Sequence, residues 1–222
     1  MNSDEAKERE YLSNLEKYQQ ESLKLLQNHE WIEKKSVKAF LRICGVQFKD
    51  EELIKISNGK QPPDFRFRDA NFELTERLNE NRRRGDEYKN KIRKTKEAKY
   101  ILDLGEKPQS SVPIEFPELL KEIEKSMDKK FSKYNNAKTC ENLDLLVYLN
   151  ISQRHLNPQS ERRLSPKFLS KVEKQGWRSI SFLTNHCAGV IFSKRNSPDF
   201  IRNLGRDVRW WTWSDGRSAF ED

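Results

Sequence analysis

The sequence is poor in cysteine and glycine. Its 222 residues include three cysteines and eight glycines. Cys44, Cys140 and Cys187 are odd in number and widely separated, with no CxxC or Cys/His spacing. This pattern indicates neither a disulfide framework nor a zinc site. We interpret the cysteines as small core residues.

Long apolar runs and the common catalytic motifs are also missing. No run of about 18 apolar residues occurs, so we expect no membrane partner. Residues 1–5 lack the basic and apolar regions of a signal peptide, and we therefore expect a cytoplasmic protein. No phosphate loop, dinucleotide fingerprint or nucleophile elbow is found. His29, His155 and His186 do not pair at metal-ligand spacing, and we interpret them as structural.

Charge is abundant. Charged residues make up 35% of the chain, and the net charge is +8. A basic protein attracts polyanions, because Lys and Arg that neutralise phosphates release condensed counterions. We expect a nucleic-acid partner, with DNA favoured over RNA. The alternative is that the charge serves solubility alone.

Apolar periodicity predicts several helices. The pattern over 5–44 indicates one long helix or two, and further helical patterns cover 118–131 and 166–173. The charged stretch 79–99 predicts a solvated helix. A helical patch is also expected over 51–56.

The strand patterns predict a mixed sheet. Leu143–Leu149 is a nearly continuous apolar run, typical of a central strand covered on both faces. Two more strands are expected over 176–183 and 188–192, and a short one over 46–48. The order of elements predicts an α/β fold with helices around a mixed sheet and a long N-terminal helix.

A hairpin after Pro62-Pro63 carries the informative acidic residues. Residues 64–68 and 72–75 alternate as strands, joined by a tight connection over 69–71. Asp64 would begin one strand, and Glu73 would lie on the polar face of its neighbour. Two converging carboxylates could bind Mg²⁺ or Mn²⁺, which prefer oxygen ligands. The alternative is a turn aspartate and a solvent-facing glutamate.

The first helical pattern contributes two further acids. Glu30 and Glu33 lie on the stripe that also contains Val37 and Phe40. A buried carboxylate needs a partner, which a metal or a cation could supply. The alternative places both acids at the edge of the stripe, reaching water or neighbouring lysines.

At these residues the sequence resembles the PD-(D/E)XK nuclease-like superfamily, whose core order is helix, three strands, helix, strand. It looks closest to a bacterial family of unknown function described as candidate endonucleases. The resemblance runs from about Trp31 to Arg206 and is carried by the segments 62–64, 72–73, 175–179, 198–200 and 203–206. It implies a restriction-endonuclease-like domain over 31–206, a helical extension over 1–30 and a C-terminal tail over 207–222.

The resemblance also implies residue roles. Asp64 and Glu73 would be metal ligands, and Glu33, with Glu30 as the alternative, would be the helix-one acid. Thr75 stands where the superfamily has a lysine that stabilises charge on the phosphate. Arg77, two residues further along the same strand face, could replace it. The implied function is metal-dependent endonuclease activity on DNA or RNA, and the alternative is a nuclease fold without catalysis that binds nucleic acid or acts as a scaffold.

We expect phosphate contacts from the basic helix over 79–99, through residues Arg82, Arg83, Arg84, Lys89 and Arg93. Trp177 and the tryptophans of 210–213 could stack bases, although core packing is the favoured interpretation.

Overall fold

The computed structural model describes residues 3–56, 59, 62–78, 84–105, 111–151, 154–205, 207–211 and 220. Its helices are α1 (Ser3–Gln27), α2 (His29–Ile43), α3 (Arg84–Glu97), α4 (Phe116–Tyr134), α5 (Ala137–Cys140), α6 (Pro166–Gln175) and α7 (Asp199–Asn203). Its strands are β1 (Leu53–Lys55), β2 (Phe65–Phe67), β3 (Ala70–Leu78), β4 (Val112–Ile114), β5 (Asp144–Asn150), β6 (Arg154–Leu156), β7 (Ser179–Leu183), β8 (Cys187–Ser193) and β9 (Val208–Trp210). Within these residues, no helix is both long and apolar enough to cross a membrane.

The chain forms two compact units that differ from the predicted domains. One contains Met1–Ile32 and Glu80–Ser110, and the other contains Glu33–Asn79 and Ser111–Asp222. The predicted extension over 1–30 therefore groups with a later segment of the chain. In this first unit, α1 packs against α3, and the buried Thr95 hydroxyl donates to Gln19 Oε1 at 3.1 Å.

The second unit is built on a mixed sheet with the strand order β1-β2-β3-β5-β7-β8-β9. The first three strands are antiparallel, and β3, β5 and β7 are parallel. The last two strands, β8 and β9, return antiparallel. Parallel neighbours need crossover connections, and α4 and α6 lie in these connections. A separate parallel pair joins β4 and β6.

The central strand is β5, as its apolar run predicts. All seven of its residues are buried. Leu146 belongs to a core that contains Phe40 of α2 and Phe72 of β3. Leu145 and Val147 belong to a second core, whose helical members come from α4, α5 and α6. Because adjacent strand residues point to opposite faces, β5 contributes to both cores.

A buried carboxylate joins the beginnings of three strands. Asp144 accepts from the Asn71 N–H at 2.9 Å and from the Ser179 hydroxyl at 2.7 Å. Arg178 donates to it from both Nε and Nη2. The Asp144 side chain is 1% exposed, so these donors replace the water that it loses on burial.

Two local predictions are wrong. Residues 46–48 form no strand, and the predicted helical patch over 51–56 contains a 3₁₀ turn at Asp50–Glu52 followed by β1. The short run Leu53–Lys55 is extended because it pairs with β2 along its full length. The predicted tail over 207–222 contains β9, which pairs with β8.

Other expectations are confirmed. The 5–44 pattern forms two helices, the first of them 25 residues long. Cys140 and Cys187 are buried, Cys44 is partly buried, and all three are free thiols. Trp177 is completely buried in the core, as packing predicts.

Candidate functional site

The predicted hairpin brings Asp64 and Glu73 to one face of the sheet. Phe65 of β2 pairs with Phe72 of β3, so the next positions outward are Asp64 and Glu73. The Asp64 N–H donates to the Phe72 carbonyl at 2.9 Å and continues the antiparallel pairing. Phe65 and Phe72 both point into the core that contains Phe40 of α2, which we call the α2 core. Asp64 and Glu73 are therefore directed to the opposite face of the sheet.

This face is buried rather than exposed. The side chains of Asp64 and Glu73 are 8% and 1% exposed, respectively. Glu73 therefore does not face solvent, as the alternative interpretation of the alternating pattern would have it. The reason is α4, which packs over β3 and β5 and covers the face that Glu73 shares with Thr75.

Helix α4 supplies a cation and a phenol to the two acids. Lys130 Nζ donates to Glu73 Oε1 and lies 3.7 Å from Asp64 Oδ2. The Tyr134 hydroxyl donates to the same Glu73 oxygen. Lys130 and Tyr134 are four residues apart on the helix and therefore project from one face. We call Asp64, Glu73, Lys130 and Tyr134 the acidic site.

The two carboxylates differ in their hydrogen bonds. Asp64 Oδ2 accepts from the backbone N–H of Leu74 at 2.8 Å, which fixes Asp64 against β3. Both donors to Glu73 use Oε1. Glu73 Oε2 is buried and has no hydrogen-bond partner among the residues that the structure describes. A buried acceptor without a donor is costly, so this oxygen suits a ligand that brings positive charge.

Burial dominates the electrostatics of the site. It raises the pKa of Glu73 above its ordinary value, and the nearby Asp64 carboxylate adds to this, whereas Lys130 and the hydrogen bonds oppose it. Burial and the hydrogen bond to Glu73 also raise the pKa of Tyr134. Tyr134 is therefore a hydrogen-bond donor at neutral pH and not a base.

Thr75 and Arg77 lie on the same face of β3 as Glu73 and have different environments. Thr75 is buried two residues from Glu73. Arg77 Nε donates to Glu122 Oε2 of α4 at 2.6 Å. Its charge is thus compensated by an acid on α4 and is not directed at the Asp64–Glu73 pair.

Glu33 is not brought to the acidic site. Its Oε2 lies 2.6 Å from Nζ of Lys55 in β1, and that ammonium also lies over the Phe65 ring. Phe65 belongs to the α2 core, so this ion pair is on the face opposite Asp64 and Glu73. Glu30 is exposed. Glu33 is thus paired with a lysine of β1 and not with the neighbouring lysines of its own helix, and Glu30 is left at the surface.

The predicted phosphate contacts fall in the first unit. Arg82 and Arg83 lie outside the described residues, as does the side chain of Arg84. Lys89 and Arg93 are exposed on α3, and Arg93 Nη1 donates to Glu97 within the helix at 3.2 Å.

Lys130 and Tyr134 were not predicted from the sequence. A signal was nevertheless present, because Lys130 follows Ile123 and Met127 on the apolar stripe of α4 at seven- and three-residue steps. A lysine on a buried stripe needs an acidic partner, just as the glutamates of α2 needed a cation.

The fold and the site define a mixed α/β protein that holds a carboxylate pair and a lysine on one buried face of its sheet. The chain belongs to the family described as "Putative endonuclease, protein of unknown function (DUF1780)", whose model matches residues 7–213. No match is found among the curated proteins.

The fold is also similar to a solved structure from Pseudomonas aeruginosa. That protein is described as one of unknown function in the monooxygenase superfamily. The TM-score is 0.62 at 23% sequence identity, and the alignment covers 96% of this chain and 97% of the other. At this identity the likeness shows the fold alone. It supports a mixed sheet flanked by helices, with a long N-terminal helix.

Proposed function

We propose that the protein is a metal-dependent endonuclease of the PD-(D/E)XK type, which hydrolyses phosphodiester bonds in nucleic acid at the acidic site. The observation that carries this proposal is the position of Lys130 between the carboxylates of Asp64 and Glu73. It provides from α4 the cation that the motif lacks at Thr75. The description of the family as endonucleases points to the same substrate class.

The order of elements supports a restriction-endonuclease-like core. Helix α2, strands β1 to β3, helix α4 and strand β5 occur along the chain in the order helix, three strands, helix, strand, with α3 and β4 inserted before α4 and the short α5 after it. The hairpin strand β3 is joined to the parallel strand β5 through α4. Asp64 precedes the second of these strands and Glu73 lies in the third, which are the positions of the motif's two acids.

The donor set fits Mg²⁺ or Mn²⁺. Asp64 and Glu73 would hold the ion, and the buried Oε2 of Glu73 is available to it. The described residues contain no group of three or more His, Cys, Asp and Glu side chains that could hold a metal. Magnesium commonly binds through one or two carboxylates and keeps several waters, so two acids are sufficient. When bound, such an ion polarises a phosphoryl oxygen and lowers the pKa of water.

The protein's own groups have separate roles. The backbone N–H of Leu74 fixes Asp64, and Lys130 and Tyr134 hold Glu73 by Oε1. The Lys130 ammonium also stabilises negative charge that develops on the phosphate. Tyr134 positions Glu73 and transfers no proton.

The experiment compares plasmid and oligonucleotide cleavage with Mg²⁺, Mn²⁺ or EDTA for the parent, Asp64→Asn, Glu73→Gln and Lys130→Met. Each substitution should lower the rate by about 100- to 1000-fold, because each removes a ligand or the stabilising charge. The exposed Glu141→Gln is the matched carboxylate control and should cut like the parent. Cleavage that survives in Asp64→Asn and Glu73→Gln would place the activity elsewhere. A parent that binds nucleic acid and never cuts would favour the non-catalytic binding module.

A further inference from the structure

The sheet face next to the acidic site is open. Ile54 of β1 and Arg66 of β2 are register partners, and both side chains are exposed, Ile54 at 56%. Their neighbours Leu53 and Phe67 are buried in the α2 core on the other face. Arg66 is two residues after Asp64 and therefore shares its face. The acidic pair is thus bordered by an accessible surface with an apolar and a cationic side chain.

Helix α4 carries four exposed lysines. Lys121, Lys125, Lys129 and Lys133 follow at four-residue steps, so they recur about every 6 Å along the helix. The acids of α4 are paired on its flanks, in the ion pairs Glu118–Arg154, Glu122–Arg77, Glu122–Lys125, Glu124–Lys171 and Asp128–Lys171. Within the described part of the chain, no acid pairs with Lys121, Lys129 or Lys133. The net outward charge of α4 is therefore positive.

Two ion pairs show which way the lysines face. Glu122 contacts Arg77 of β3, whereas Asp128 contacts α6 on the other side of the helix. Lys129 is seven residues after Glu122, about two turns, and Lys133 is one turn further. Both lysines lie on the flank nearest β3, which is the side of the open face of β1 and β2.

We propose that a polynucleotide strand lies along the basic strip formed by Ile54, Arg66, Lys129 and Lys133, and that its scissile phosphodiester approaches the acidic site from the side of Asp64 and Lys130, which are more exposed than Glu73. This inference rests on the proposed function and assigns its substrate surface. The lysines contact successive phosphates, Arg66 contacts phosphate or stacks on a base, and Ile54 packs against a base or sugar. Such groups read no base edges, so binding has little sequence preference.

The test measures metal-free binding of fluorescent single-stranded and duplex oligonucleotides at several salt concentrations. Lys129→Gln/Lys133→Gln should bind about tenfold more weakly than the parent, and its salt slope should be shallower by about 1.5, because two phosphate contacts are lost. Lys167→Gln/Lys174→Gln is the control, since it removes two exposed lysines from α6 and the same charge. It should bind nearly like the parent. Equal weakening of both variants would show an effect of net charge and would overturn the basic strip.

A second variant tests the sheet side of the strip. Ile54→Ser/Arg66→Gln changes exposed side chains, so the core is retained, and it should also weaken binding severalfold. A parent that binds through these residues without cutting would refute the proposed function and leave the strip in place. A parent that cuts, with both strip variants binding and cutting like it, would refute the strip alone. A parent that binds no polynucleotide overturns the strip.

Discussion

Arg77 Nε donates to Glu122 Oε2 at 2.6 Å, and this bond ties the end of β3 to α4 about two turns before Lys130. The two side chains are 31% and 22% exposed. The pair is therefore more buried than a typical surface ion pair. Glu122 also forms an ion pair with Lys125. We therefore infer that Arg77 stabilises the packing of α4 against the sheet, since its charge is directed at Glu122.

We expect Arg77→Ala to lower the free energy of unfolding by about 1 kcal/mol and to leave metal-dependent cleavage within a few-fold of the parent. Urea denaturation and the plasmid assay measure the two effects. Arg93→Ala, which removes an arginine from an exposed pair on α3, is the control for stability. A hundredfold loss of cleavage in a stably folded Arg77→Ala variant would show that Arg77 takes part in cleavage.

A lysine at position 75 of β3 should be able to replace the lysine at position 130 of α4 as the cation of the acidic site. Thr75→Lys alone should give little increase in cleavage, because Lys130 already occupies the space beside Glu73. In the inactive Lys130→Met background, however, Thr75→Lys should restore at least about tenfold of the lost rate, since Thr75 lies on the same strand face as Glu73. The matched control is Thr75→Met in the same background. Rescue by methionine as well as lysine would mean that charge is not what Lys130 provides.

The stability should depend on pH through Glu73. Because its pKa is raised in the folded protein, the folded state binds more protons than the unfolded state between the ordinary and the raised value. The resulting cost to folding is absent below the ordinary pKa and grows as the pH rises through this window. Without divalent metal, Glu73→Gln should therefore gain stability relative to the parent from pH 4 to pH 8, with Glu141→Gln as the control. The measurement is the urea midpoint of the parent and of Glu73→Gln at each pH. A difference between their midpoints that stays constant with pH would contradict the raised pKa.

Divalent metal should make the parent more stable than Glu73→Gln. Mg²⁺ that binds only the folded parent would stabilise it by mass action, whereas Glu73→Gln lacks one of the two proposed ligands. The melting temperature of the parent should therefore rise with Mg²⁺ concentration and that of the variant should not.

The basic helix α3 remains a predicted phosphate contact and has its own test. Lys89→Gln/Arg93→Gln should weaken metal-free binding and flatten the salt slope if α3 contacts the backbone. Comparing the binding constant and salt slope of this variant with those of Lys129→Gln/Lys133→Gln distinguishes the contribution of α3 from that of the basic strip. A slope equal to that of the parent would remove Lys89 and Arg93 from the interface.

The sequence predicted those parts of the molecule that depend on local patterns. The hairpin, the central strand β5 and the helices α4 and α6 follow from periodicity and turn residues, and the hairpin alone brings Asp64 to Glu73. Lys130 is 57 residues from Glu73, and their contact depends on how α4 packs across β3. Strand β1 has three residues, and its pairing with β2, rather than its own composition, makes it extended.

The hydrogen bonds of Asp144 fix the register of the strands that position the acidic site. By accepting from Asn71 and Ser179, it holds the beginnings of β3, β5 and β7 at one level. If β3 slipped by one residue, Glu73 would face the α2 core and Leu74 would face Lys130, because neighbouring strand residues point to opposite sides. That slip would bury a charge without its partners while also opening a core. Correct strand alignment and a complete acidic site therefore depend on the same contacts of Asp144.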